Sequence, residues 1–184
     1  MIIGIAGTFN AGKDAAAEHL EETHSFMRVS TGDMVRELAQ EKYGTIERSM
    51  LKRTADEARA AHGAGYFVDR AIRLYEDKKT RFRGIAITGI RSIGEVETLQ
   101  KVEAKLLFVD APQKLRYKRS VARARGDAEK TFEEFAANEA KEMAGKGDDK
   151  TVINIGAVKG MADLEIINDG RIEQFFNQVD RFVA

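Results

Sequence analysis

With 184 residues, 43% of them hydrophobic, the chain is long enough for one compact domain with a sizeable core and too short for two ordinary enzyme domains. Its 30 Lys plus Arg balance 30 Asp plus Glu, so no global cationic field recommends nucleic acid or an anionic membrane, and any anion site must draw on local charge. The lack of cysteine excludes disulfides, thiolate metal centres and cysteine nucleophiles, and the three histidines (His19, His24, His62), far apart, argue against a histidine metal site.

Residues 2–6 form a short apolar run without a basic leader, shorter than the apolar stretch of a signal sequence, and no run approaches the roughly 20 residues of a membrane span. The reading is a soluble, cytoplasmic protein. Further runs of the same kind at 26–29, 85–88, 106–109 and 164–167 read as strands buried on both faces. Between them lie helical patterns at 13–22, 33–43, about 46–75 with a break at 63–65, 93–103, 113–125 and 132–143, and a last one at 172–182. This alternation predicts a three-layer α/β/α sandwich on a five-stranded parallel sheet. The expected organisation is a single domain, 1–184, with its core at 1–43 and 84–184, a helical insertion at about 44–80 and a short lid at about 119–150.

Directly after the first strand, Gly7-Thr8-Phe9-Asn10-Ala11-Gly12-Lys13 fits G-x-x-x-x-G-K and precedes a helix. Glycines let successive backbone N–H groups and a helix N-terminus face a phosphate chain, and the lysine neutralises its oxygens. The expected ATP contacts are Gly7, Asn10, Ala11, Gly12, Lys13, Asp14 and Ala15. The motif asks for Ser or Thr after the lysine to hold Mg2+, whereas Asp14 and Ala15 stand here. The third strand ends in Thr88-Gly89-Ile90-Arg91-Ser92.

From Lys114 to Arg125 six cations occur without an acid, followed by the acid-rich stretch 127–142. Arg116, Arg119 and Arg123, spaced i, i+3, i+7, share a helix face, and convergent arginines suit phosphoryl transfer by positioning and stabilising the moving charge. Ordinary surface salt bridging is the competing reading, strongest for Arg116. An Asn168-Asp169-Gly170 turn closes the last strand at the end of a parallel sheet where ligands bind.

Ser30-Thr31-Gly32-Asp33-Met34-Val35-Arg36 resembles the opening of the acceptor-binding helix of the adenylate kinase family. That resemblance implies that Thr31 approaches the acceptor base and that Arg36 grips the acceptor phosphate. It makes Arg91 a second clamp and places Glu95 near the family's base-reading glutamine, although a surface helix glutamate is the plainer reading of Glu95. It aligns Arg119 and Arg123 with the first lid arginines and sets Asp169 and Gly170 against the donor purine. The resemblance also implies the sheet order 2-3-1-4-5. The chain departs from the family in lacking a long lid, an arginine near Asn138 and an acid at Thr88, where the family has one that orients Mg2+; with Asp14 in the loop, that makes Asp14 and Thr88 the expected metal ligands, carboxylate and hydroxyl exchanged between loop and strand.

Gly32–Arg36, Ala58-Arg59 with Gly63, 89–97 and 162–170 also resemble an archaeal P-loop kinase family labelled dephospho-CoA-kinase-like or adenylate-kinase-like. By that resemblance Arg59 is a further acceptor contact. Three readings follow. One is an ATP- and Mg2+-dependent nucleoside monophosphate kinase whose catalytic groups are Lys13, Arg91, Arg119 and Arg123. Another is a kinase of a hydroxyl on an acceptor such as dephospho-CoA, with Asp33 as base. The third is a nucleotide-binding regulatory module with little turnover. All three take small nucleotides, and none takes nucleic acid or membrane.

Overall fold

Aliphatic side chains alternate along the central strand β1 (Ile2–Gly7), and both faces of it are covered by helices. The computed structural model describes residues 1–122, 131–145 and 149–184. After β1 come α1 (Lys13–His24), β2 (Phe26–Ser30), α2 (Thr31–Tyr43), α3 (Arg48–His62) and α4 (Tyr66–Glu76). A 3-10 turn (Lys79–Arg81) leads to β3 (Gly84–Ile90), α5 (Ile93–Gln100), β4 (Lys105–Asp110) and α6 (Gln113–Ala122). The chain continues through α7 (Phe132–Ala144), α8 (Ile155–Gly160), β5 (Leu164–Ile167) and α9 (Ile172–Val183).

The five strands are parallel, as the alternation of apolar runs and helices predicts, and stand in the order β2-β3-β1-β4-β5 that the resemblance implies. Period-2 alternation sorts each strand between two cores. Ile3, Ile5, Ala86, Leu107 and Val109 face α1 and α9, where Leu20, Phe175 and Val179 complete a fully buried layer. Ala6, Ile85, Ile87, Leu106 and Phe108 face the other way, onto Phe67 and Val68 of α4, Leu99 of α5 and Val158 of α8. The break expected at 63–65 separates α3 from α4, and α8 was not expected from the pattern.

All strands share one direction, so their carboxyl ends gather the β1–α1 turn, the start of α2, the segment after β3 and the ends of β4 and β5. One irregularity matters there. Ile5 pairs with Thr88 but Ala6 with Ile90, so β3 bulges at Gly89, whose φ of 90° suits glycine. A Cβ at that position would lie 2.4 Å from Thr31 Oγ1. At the opposite edge of the sheet the expectation of scattered histidines needs correction. His19 and His24, on the distal half of α1, have ring centroids 6.0 Å apart and share one oxygen of Asp180 on α9.

Candidate phosphate-binding and phosphoryl-transfer site

The turn between β1 and α1 folds as a phosphate loop because its glycines stand where side chains do not fit. Gly7 has φ 145°, and a Cβ there would meet the Val109 carbonyl oxygen at 2.0 Å; Asn10 also takes the left-handed conformation, at φ 59°. No side chain caps the start of α1, so its first-turn amides are left for a ligand, while in the loop Thr8 N–H donates to the Val109 carbonyl and Ala11 N–H to that of Thr8. Lys13 curls back over the loop, its Nζ donating to the carbonyls of Gly7 (3.1 Å) and Thr8 (2.6 Å).

The charge at this point is uncompensated. Burial, reinforced by the like charge of Arg91, pushes the Lys13 ammonium down from 10.5 to about 7, while Asp14 and Glu142 pull the other way more weakly. Neither Lys13 nor the Arg91 guanidinium forms an ion pair with a described residue. Arg91 is aimed by its backbone: its N–H donates to Glu95 Oε2 (2.8 Å) and its carbonyl accepts from Asn154 N (2.9 Å), just beyond the bulge at Gly89. Two cations thus converge beside a set of backbone donors, the arrangement that an oligophosphate complements.

Arg119 reaches the same loop from α6, donating to the carbonyls of Ala11 (3.3 Å) and Asn168 (3.1 Å), and so stands between the loop and the turn after β5. Arg123 lies outside the described residues. Asp169 and Gly170 are exposed at that turn.

A family model for an AAA domain matches residues 3–144, from the first strand through this loop to α7. The chain belongs to the AAA domain family. Along its whole length this AAA domain is 29% identical to a UPF0200 protein of Thermococcus gammatolerans, of which it covers 94%. Among solved structures it resembles the Thermus thermophilus protein TT1252, with a TM-score of 0.62, 20% identity and coverage of 100% and 96% of the two chains. It also resembles the dephospho-CoA kinase of Campylobacter jejuni, with a TM-score of 0.54, 14% identity and coverage of 99% and 94%. At these identities the structural likenesses establish a P-loop kinase-like fold.

On the acceptor side of the AAA domain several expected contacts are engaged elsewhere. Thr31 is buried and donates to the Gly89 carbonyl (3.1 Å), tying α2 to the bulge. Arg36 donates to Asp33 Oδ1 (2.6 Å) on the exposed start of α2, which makes the two a pair. Asp33 keeps a 66% exposed carboxylate there, one turn into a helix capped by Ser30. Glu95 requires correction on the surface reading. It is buried, not a surface residue, and its carboxylate closes a capping box with Ser92, accepting from the backbone N–H groups of Arg91 and Ser92 and from Arg59 Nη2 (3.3 Å). A carboxylate taken up in this way has little left for a base, and Arg59 is drawn to it across the α3–α5 contact. Thr88 is buried at the carboxyl end of β3, in register with Ile5 and Ser30, and Asp14 is exposed on the first turn of α1.

Three residues, Asp110, Asn168 and Arg116, make contacts at the site that a local reading of the sequence does not give. Asp110, the acid that ends β4, accepts from Thr8 Oγ1 (2.6 Å) and from Ala111 N–H (2.8 Å), pinning the start of the phosphate loop. Asn168 is buried and donates from Nδ2 to the Ala11 carbonyl (2.7 Å), fixing the end of the loop. Arg116 is not a surface cation. It forms a bidentate pair with Glu139 of α7 and donates to the carbonyls of Ala111 (2.6 Å) and Phe9 (3.5 Å), beside the Phe135 ring at 5.8 Å. Helix α7 is thereby latched to the loop, with Phe9 and Phe135 adding a ring contact at 6.3 Å.

Proposed function

We propose that this chain is an ATP-dependent phosphotransferase acting on a small nucleotide acceptor, a nucleoside monophosphate being the first candidate. The observation that carries the reading is the convergence of Lys13 and Arg91, both without an acidic partner among the described residues, on the backbone donors of the phosphate loop. The organisation proposed for it is an acceptor space between α2 and the helical segment 44–80, with the region 119–150 acting as a short lid.

In this reading the β- and γ-phosphates of ATP rest on the N–H groups of Phe9, Asn10, Gly12 and Lys13, and an oxygen of the acceptor phosphate attacks the γ-phosphorus as ADP leaves. No protein nucleophile is required. Lys13 and Arg91 stabilise the charge on the transferred group, a contribution made by pre-positioned charge in a site shielded from water. Arg119 orders the donor nucleotide between Ala11 and Asn168, and Arg123 is proposed to act beside it. Mg2+ suits an oxygen-only donor set, and Asp14 and Thr88 offer an exposed carboxylate and a hydroxyl that makes no hydrogen bond with a described residue. When bound, the ion neutralises phosphate charge. It would also relieve the repulsion that Asp14 exerts on the triphosphate.

A second reading, phosphorylation of a hydroxyl, is favoured by the Asp33–Arg36 pair: the arginine holds an exposed carboxylate at the mouth of the acceptor space, where it can accept the hydroxyl proton. The discriminating experiment is an ADP-release assay with Mg2+ and a panel of nucleoside monophosphates and dephosphorylated analogues, run on the wild type and Lys13→Ala. Turnover stimulated by monophosphates and lost in the variant supports the first reading, and stimulation by hydroxyl acceptors alone supports the second. Tight ATP binding without acceptor-stimulated turnover rejects both and leaves a nucleotide-binding regulatory module.

A further inference from the structure

We propose that His19, His24 and Asp180 form a binding site for a divalent transition-metal ion of the zinc type, separate from the phosphate site. The residues come from α1 and α9. Helix α1 starts at Lys13 on the carboxyl edge of the sheet and ends at His24, about 17 Å further along its axis at 1.5 Å per residue. The cluster therefore lies at the amino edge, beside Ser25, which precedes β2, and Arg83, which precedes β3.

Both imidazole Nε2 atoms lie 2.7 Å from the same atom, Asp180 Oδ1, and one atom from each residue falls within 4.8 Å of the others. Two imidazoles and a carboxylate are a common ligand set for Zn2+, with bonds of about 2.0–2.2 Å. In a tetrahedral arrangement such bonds set ligand atoms about 3.3 Å apart, so the cluster needs to open by roughly half an ångström. The surroundings suit that small movement. The His19 ring is stacked flat on Phe176 (centroids 4.1 Å apart, planes at 3°), and its Nδ1 faces Thr23 Oγ1 at 3.3 Å, a hydroxyl that donates to Nδ1 while Nε2–H is given to Asp180 and can turn to accept from Nδ1–H when Nε2 holds an ion. Both histidines are largely buried, and Asp180 is about one-third exposed, which leaves an entry path.

One neighbour opposes the ion. Arg83 Nη1 lies 3.4 Å from His24 Nδ1, and a guanidinium has only donors, so in the empty site His24 Nδ1 accepts and Nε2 carries the proton that Asp180 receives. Coordination through Nε2 requires that proton to leave Nε2, either to Nδ1 or to solvent, and requires Arg83 to withdraw from Nδ1. Arg83 has a second anchor on the Val183 carbonyl (3.2 Å) and can keep it. Arg83→Gln removes the competing charge and offers an acceptor for Nδ1–H.

The test is a titration of the nucleotide-free full chain with Zn2+ by calorimetry and with Co2+ by visible absorption, which reports imidazole and carboxylate coordination. The wild type and Asp14→Asn should bind one ion per chain alike, since Asp14 belongs to the phosphate site. His24→Ala and Asp180→Asn should each weaken binding by on the order of tenfold or more, and Arg83→Gln should tighten it. Asp180→Asn changes one atom at a partly exposed site and keeps the test valid if a histidine variant misfolds. No saturable binding by the wild type, or equal binding by Asp180→Asn, overturns the proposal.

Discussion

Replacing Lys13 by methionine should stabilise the protein while abolishing nucleotide-dependent turnover. The side chain is held over the loop at an ordinary value lowered from 10.5 to about 7, chiefly by burial and then by Arg91. That lowering sets a ceiling of about 5 kcal/mol on the cost of keeping the charge folded. Against this stand the two hydrogen bonds to the Gly7 and Thr8 carbonyls, worth about 1.5–3 kcal/mol each to a charged donor, so Lys13→Met should gain at most ~2 kcal/mol at pH 6. Between pH 7 and 10.5 the unfolded chain holds a proton on Lys13 that the folded chain has lost, so the cost to the wild type shrinks as pH rises through that window and is full below it. Urea unfolding without nucleotide, at pH 6 and pH 9.5, measures the difference between the two proteins and cancels every other titrating group. A variant less stable than the wild type at pH 6, or a difference that does not move toward the wild type by pH 9.5, would refute this reasoning.

Gly89→Ala places a Cβ 2.4 Å from Thr31 Oγ1 at a φ of 90°, and should cost about 2–3 kcal/mol by chemical denaturation and lower kcat through Arg91, two residues on. Asn168→Ala leaves the Ala11 carbonyl without its buried donor; the expected loss is about 1–3 kcal/mol, with a higher KM for ATP and an unchanged KM for the acceptor in steady-state assays. Glu95→Ala removes the carboxylate half of the capping box and leaves Arg59 without its carboxylate, so a loss of about 2–4 kcal/mol is expected while the order of preference among acceptor bases stays the same. A change in that order would return Glu95 to base recognition.

The strands were legible because burial on both faces leaves continuous apolar runs, and the phosphate loop was legible because its glycines and lysine are contiguous and flanked by the right elements. Helix α8 was not, since six residues with two apolar anchors, Ile155 and Val158, carry no measurable period. Asp110 and Asn168 were missed for a different reason. Their partners Thr8 and Ala11 lie 102 and 157 positions away, and only the parallel register of β1 with β4 and of β4 with β5 brings them together. Glu95 illustrates competition between two local signals. Ser92-x-x-Glu95 before an apolar run is the pattern of a capping box, and that reading prevails over base recognition because the carboxylate is buried with its own backbone. The meeting of His19 and His24 with Asp180 likewise depends on packing of the first helix against the last.

Arg116 joins the phosphate loop, the end of β4 and helix α7 through hydrogen bonds that do not involve Lys13, the group that gives up its proton near pH 7. The wall of the hollow and the charge on its floor therefore rest on different side chains. Raising the pH therefore alters how strongly the hollow attracts an anion while leaving its contour in place.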